Sequence, residues 1–401
     1  MGVKRWLLAA LAGIGVVSIG TIMSGNEYSF VRTLGFVWIV CGLLMIVIGM
    51  AKMIVSLLTL VLPKGEQDLV NILYQRRYLE RGPKIVAIGG GHGLSHLLFS
   101  LKEYTSNITA VVTVADSGGS SGRLREEFNI VAPGDIRNCL VALADAPKLM
   151  GELFQLRFSN DSMLKGHNFG NLFLTAMFQV CKGDFEEAVN ETSKVLAIRG
   201  KVVPATVANV HLVAEYKDGT RTEGEAQIPD KKKPIKRIFL TDHNARPTQA
   251  ALDAIEEADV IILGPGSLYT SVIPNLIIKG MSEAIARSSA FKIYVCNVMT
   301  QPGETDNYNA SDHIRAILEH SVPKIIDACL LNDAKAPDAA LEKYRKEDQF
   351  PVSADLDNIR NLGIKVFNTD LLEVTDYLRH DSAKLNKALI KVIEMHRIVK
   401  R

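Results

Sequence analysis

Two stretches near the start of the chain, residues 6–23 and 33–51, are apolar and carry no charged side chain. Each approaches the roughly 20 residues that an α-helix needs to cross the hydrocarbon of a bilayer. A helix that is apolar on every side has no face matched to water, so it belongs in a large core or in lipid. The length of the runs favours lipid, and two spans joined by a short polar loop at 24–30 are expected. A cleaved signal peptide would account for the first run only, lacks a clear small-residue cleavage site, and leaves the second run unexplained.

Basic residues set the expected orientation. Lys4 and Arg5 precede the first run, and Lys52, Lys64, Arg76, Arg77, Arg81 and Lys84 follow the second. Because positive charge is retained on the cytoplasmic side, a two-span protein of the cell membrane is expected, with both termini and the main domain in the cytoplasm. Arg32 would snorkel outward, Tyr28 and Trp38 would anchor at the interfaces, and residues 53–62 would lie along the inner one. Residues 1–62 thus form a hairpin anchor. A charged linker with a helical pattern follows at 63–82, and Gly82-Pro83 punctuates the entry to a domain at 83–401.

That domain reads as α/β. Residues 84–88 and 108–115 are β-branched runs separated by a helical pattern at 94–104, a βαβ unit. Residues 260–263 and 292–296 repeat the buried-strand signal around a helical stretch at 277–287. A Rossmann-like three-layer domain with a parallel sheet follows. Residues 202–228 alternate in strand fashion, with Lys217-Asp218-Gly219-Thr220 as a hairpin turn, giving a β insertion at about 200–240. The C-terminal part, 311–401, is mainly helical with one strand at 364–367. With 46 basic against 44 acidic side chains, the chain has no global field that would favour nucleic acid, so any anion must be bound locally. The five cysteines are widely spaced with no CxxC pair and read as reduced thiols.

Several loops could supply that local binding. Gly89-Gly90-Gly91-His92-Gly93-Leu94 stands between a strand and a helix, where glycines let backbone approach a phosphate at a helix N-terminus. Its spacing is neither GxGxxG nor a P-loop, and the P-loop lysine is missing. Asp116-Ser117-Gly118-Gly119-Ser120-Ser121-Gly122-Arg123 follows the next strand and so emerges at the same sheet edge. Asp116 suits ribose hydroxyls or a hydrated cation, Gly119, Ser120 and Ser121 suit phosphate oxygens, and Arg123 supplies charge. Asp135 in PGDIRN, Asn168 and Asn171 in GHNFGN, and Gly264, Gly266 and Ser267 in GPGSLYTS complete the polar loops, although Asp135, Asn168 or Ser267 taken singly could be helix caps. His92, His96 and His167 lack the HExxH spacing, so zinc is not expected, and Ser267 is not in a GxSxG elbow.

Taken in order, the first glycine loop, TVADSGGSSGRLR, PGDIRNCL, GHNFGN, LGPGSLYTSVIPNL, CNVMTQPGET and LRHD resemble the gluconeogenesis factor family, the YvcK-like relatives of 2-phospho-L-lactate transferase (CofD). The resemblance runs from about residue 84 to residue 387. It implies a UDP-sugar ligand such as UDP-N-acetylglucosamine and a role in cell shape and envelope synthesis during growth on gluconeogenic carbon. It also implies that the glycine loop, Asp116 and Ser120 belong to a nucleotide site, that Asn168, Asn171 and the GPGS loop share its cleft, and that Tyr344 and Arg379 are late sugar-nucleotide contacts. A ring can stack on uracil while a guanidinium holds a diphosphate.

The chain departs from the family pattern at His92, where Thr is usual, and at Ser117, where a second acidic residue is frequent. The transferase relatives attach a phospholactyl group from a nucleotide diphosphate donor with magnesium. On that alternative Asp116 or Asp135 would be catalytic and Asp116 would hold the Mg2+. Whether the ligand is sensed or consumed stays open at the level of sequence, because one scaffold carries both roles. The expected partners are a UDP-sugar or related nucleotide diphosphate and membrane lipid, with no nucleic acid; a homo-oligomer stays open.

Overall fold

A computed structural model describes residues 2–61, 79–159, 161–375 and 377–400, in two compact units divided after Arg77. Most of the linker expected at 63–82 falls outside the described residues.

The first unit is a helical hairpin, α1 (Gly2–Ser24) and α2 (Ser29–Val61). Both helices are long and apolar enough to cross a membrane. They touch along glycines spaced seven apart: a Cβ on Gly20 would lie 2.8 Å from the Gly35 carbonyl oxygen, and one on Gly42 would lie 2.8 Å from that of Gly13. Small residues at such positions let two backbones approach closely, which is how helices associate where water exclusion offers no driving force. The hydroxyls of Ser18, Thr21, Ser24 and Thr33 donate to carbonyls of their own helix, Ser18 Oγ to that of Ile14 at 3.0 Å. α2 continues unbroken to Val61, through most of the stretch expected along the inner interface. No Gly or Pro lies between Ala51 and Val61 to end it.

The second unit is built on seven parallel strands in the order β10-β9-β8-β7-β1-β2-β3. These are β1 (Ile85–Gly89), β2 (Ile108–Val112), β3 (Lys201–Pro204), β7 (Val260–Leu263), β8 (Phe291–Val295), β9 (Ala328–Asn332) and β10 (Lys365–Thr369). β1, β7 and β8 are buried along their whole length, so they read as continuous rather than alternating apolar runs. Alternate residues still serve opposite layers: Val86 and Ile88 pack into one core, Ile85 and Ala87 into the other. The chain leaves β1 toward β2 on one side and later returns to pair β7 with its other side. The crevice between the carboxyl ends of β1 and β7 is therefore the point where strand order reverses, the usual ligand position in open α/β sheets.

Two expectations about the β segments change. Residues 201–204 belong to the main sheet, because Thr109 to Val112 of β2 pair in parallel with Lys201 to Pro204. The separate antiparallel sheet begins later, with β4 (Leu212–Tyr216), β5 (Arg221–Glu223) and β6 (Ile235–Leu240) in the order β5-β4-β6. Its hairpin turn is the anticipated one, with Gly219 at φ +83°. The C-terminal part carries four strands rather than one, since β9, β10 and a short hairpin of β11 (Leu372–Val374) and β12 (Leu378–His380) all lie beyond residue 311.

Candidate functional site

The loops singled out above gather at the carboxyl edge of the sheet. β1 runs into Gly89 and Gly90, and the helix Gly91–Leu101 starts at once, with Gly91 at φ +65°. The backbones of two loops touch here, since a Cβ on Gly93 would lie 2.6 Å from the Pro265 carbonyl oxygen. Only glycine permits that approach. Asp116 follows β2 and closes a tight turn, its Oδ1 accepting the Gly118 N–H at 2.8 Å. Asp135 sits in the first turn of the helix Gly134–Leu143, where the positive end of the helix favours a carboxylate.

Between these loops lie two adjoining chambers. The smaller, about 340 Å³, is lined by Gly90 to Gly93, Asp116, Asp135, Glu225, Gly266, Ser267, Thr270 and Ser271. The larger, about 760 Å³, is lined by residues that include His96, Asn297, Tyr377, Arg379 and His380. His92, Gly93 and Gly266 line both. A further cavity of about 500 Å³ beside Lys84, Asn107 and Lys201 lies at the opposite, amino-terminal edge of β1, β2 and β3, away from every glycine loop.

Burial and nearby negative charge shift Asp135 and Glu225 of the smaller chamber upward. Burial first, then the neighbouring Asp116 carboxylate, push Asp135 to about 7 against the opposing hydrogen bond from the Gly91 backbone. Glu225 is pushed to about 8 by burial and by Asp116, Asp135 and Glu304. Glu304, buried beneath the GPGS turn, rises to about 7, chiefly through burial. It accepts the Tyr269 N–H and the Thr270 hydroxyl, each at 3.2 Å, and so fixes the turn that carries Gly266 and Ser267.

Residues 85–372 match the family described as 2-phospho-L-lactate transferase CofD. The chain belongs to the CofD family. Within it, the gluconeogenesis factor of Bacillus subtilis is 47% identical over 313 residues, covering 78% of this chain and 98% of that protein. The gluconeogenesis factor of Halalkalibacterium halodurans is 49% identical, covering 77% and 95%. A Nostoc sp. relative named for the same factor is 46% identical over 98% of this chain and 90% of its own, an alignment that takes in the N-terminal helices. A crystal structure of a Bacillus halodurans protein superposes with a TM-score of 0.75 at 48% identity, over 77% of this chain and all of its own.

Within this CofD-family cleft the remaining expected residues divide by position. Gly90, Gly91, Gly93, Asp116, Asp135, Gly266 and Ser267 line the smaller chamber and Arg379 lines the larger. Gly89 ends β1, Gly264 turns the chain at φ +77°, and Leu94 is buried in the core beneath the loop. Ser120 is a buried hub, its Oγ accepting the Asn168 N–H and an Asn171 side-chain N–H, both at 3.2 Å, while Ser121 Oγ meets the same amide at 3.4 Å. Asn168 and Asn171 thus hold the second loop in place, and Asn168 also caps its helix by accepting the Asn171 N–H. Gly119 is the left-handed residue of that loop at φ +47°. Arg123 is exposed and donates to the Lys165 carbonyl at 2.9 Å. Tyr344 packs with Val298, Leu372 and Leu378, and its hydroxyl accepts the Leu378 N–H. Arg379 is paired with Glu373 at 2.6 Å.

Glu225 and Glu304 were not among the expected residues. Glu225 stands in the irregular stretch after β5, carried to the chamber by the β insertion. Glu304 lies in the CNVMTQPGET motif and had a signal in its surroundings, although nothing marked it as the acid under the turn. Among the described residues no group of three or more His, Cys, Asp or Glu side chains converges as a metal would need. A Mg2+ held by Asp116 would have to draw most of its ligands from phosphate and water.

Proposed function

We propose that this protein is a membrane-tethered binder of a UDP-sugar, of the UDP-N-acetylglucosamine kind, acting in cell shape and envelope synthesis under gluconeogenic growth. The reading is supported most by one observation: two chambers of different chemistry adjoin where two glycine-rich loops meet at the strand-order reversal. Their volumes fall in the range of small-molecule sites. Backbone at Gly93 and Gly266, which line both chambers, suits a diphosphate in the middle, with a different group on either side. The name that the relatives carry supports the metabolic setting. The two apolar helices, with Lys4 and Arg5 near the start of the first and Lys52 toward the end of the second, support a two-span anchor with both ends in the cytoplasm. Titration calorimetry tests the ligand. UDP-N-acetylglucosamine should bind more tightly than UMP or GTP, and equal affinity for all three would overturn the proposal.

A second reading is favoured by Asp135, whose position near neutrality suits a proton acceptor at physiological pH. On that reading an acceptor hydroxyl gives its proton to Asp135 as its oxygen bonds to the outer phosphorus of a nucleotide diphosphate donor, and the bridging P–O bond breaks to release the nucleoside monophosphate. Turnover that stops on Asp135→Asn would support it, and absence of turnover across donors and acceptors, with and without Mg2+, would remove it.

A further inference from the structure

The two chambers differ in charge as well as size. Asp116, Asp135 and Glu225 line the smaller, with no Lys or Arg among its described lining residues. Arg379 lines the larger, with His92, His96 and His380 and no carboxylate in its described lining. The first therefore offers a phosphate no cationic side chain, whereas the second offers Arg379, which is shared with Glu373. A carboxylate is, however, a strong acceptor for a hydroxyl group, which is what a sugar offers in number. A bare cation is the competing occupant, and the carboxylates do not converge as a cation site would.

Each of the three acids accepts one backbone N–H, and Glu225 is the one that the β insertion brings to the chamber. Asp116 Oδ1 closes its own turn and Asp135 accepts from Gly91. Glu225 accepts one backbone N–H, from Ser117, which lowers its affinity for a proton. The connection is reciprocal: the Ala226 N–H donates to Ser117 Oγ at 3.1 Å, so the insertion is fastened to the second loop beside the chamber. The remaining acceptor capacity of Glu225 is available to the cavity it lines.

We infer that Glu225 is a specificity-determining residue: its carboxyl group hydrogen-bonds a hydroxyl of the ligand's sugar, seating the sugar in the smaller chamber with the nucleotide toward Arg379. The inference rests on the reading of the cleft as a sugar-nucleotide site and adds its orientation. The β insertion is then part of the recognition apparatus, since it brings the residue that separates a sugar nucleotide from the bare nucleotide.

The test compares affinities of the full chain for UDP-N-acetylglucosamine and UDP, in wild type, Glu225→Gln and Glu225→Asp, by calorimetry in detergent at about pH 9, where Glu225 is ionised. Glu225→Gln should weaken the sugar nucleotide about tenfold or more, as expected for loss of a charged hydrogen bond. UDP should change by less than about twofold, which also shows that the variant is folded, and Glu225→Asp should recover part of the loss. Equal weakening of both ligands, or of neither, overturns the inference while leaving the sugar-nucleotide reading intact. A loss seen with Mg2+ and abolished by chelator also overturns it, because the carboxylate would then hold a cation. Failure of the wild type to bind either ligand removes the reading itself and the inference with it.

Discussion

Gly90 and Asp135 are packed so closely that a Cβ on Gly90 would stand 2.5 Å from Asp135 Oδ2. The glycine is required here for space and not for its backbone angles, since its φ of −171° is open to any residue. Its neighbour Gly91 is the reverse case, with φ +65° and no atom nearer to an added Cβ than Ser271 Oγ at 3.7 Å. Gly90→Ala should therefore displace the Asp135 carboxylate and cost about 1–3 kcal/mol, the usual range for overpacking. Gly91→Ala should cost about 1 kcal/mol through strain alone. Ligand affinity alongside denaturant midpoints separates them: Gly90→Ala should lose binding beyond its loss of stability, whereas Gly91→Ala should keep the carboxylate in place.

Ser120 is predicted to matter through the partners it would leave behind. Its hydroxyl is buried and meets the Asn168 N–H, the Asn171 amide and His167 Nδ1, each at 3.2 Å. Without it the Asn171 side-chain N–H keeps only the longer contact to Ser121 Oγ at 3.4 Å. Ser120→Ala should cost about 1–3 kcal/mol, the penalty for buried donors left unpaired. Hydrogen exchange at the Asn168 amide should rise with it, and unchanged exchange would show that the hub is dispensable.

The raised acids make stability fall with pH near neutrality. In the unfolded chain Asp135, Glu225 and Glu304 lose their protons near 4, whereas in the folded protein they hold them to about 7, 8 and 7. Between those limits the folded state binds more protons, so the stability is full below the unfolded values and is lost as pH rises through the folded ones. His380 acts oppositely but lower: burial depresses it to about 4, so it adds stability as pH rises from there to about 6.5. The midpoint of thermal unfolding should therefore drop between pH 6.5 and 8.5, and Glu225→Gln should flatten the slope. A midpoint rising over that interval would contradict the assignment of these groups.

What the sequence made legible is what local pattern controls. Five consecutive buried residues make β1 readable from its run of Ile and Val, and the glycines after it announce a close approach that Gly93 and Pro265 carry out. Asp116 and Asp135 were found because each follows a strand or opens a helix. Glu225 was not, because it owes its place to a contact between Ser117 and Ala226, 109 residues apart, and nothing in its own neighbourhood records that bond. The start of the insertion was misplaced for a similar reason. Val202 and Val203 have the composition of any strand, and only their pairing with Ala110 and Val111 assigns them to the main sheet.

The hairpin offers a prediction independent of the ligand. A Cβ on Gly42 would lie 2.6 Å from Val17 Cγ2 and 2.8 Å from both the Gly13 carbonyl oxygen and the Val17 nitrogen, while one on Gly15 would meet nothing within 4 Å. Backbone cannot retreat as a flexible side chain can, so a larger residue at Gly42 must drive α1 and α2 apart, whereas the same residue at Gly15 only adds apolar surface. Both substitutions keep the helices apolar, which leaves their capacity to enter lipid unchanged. Gly42→Leu should slow or split the band of the 1–61 hairpin on denaturing gels, where mobility reports whether two helices stay together, and Gly15→Leu should leave it where it was. Equal behaviour of the two variants would mean that the glycine contacts do not hold the helices together.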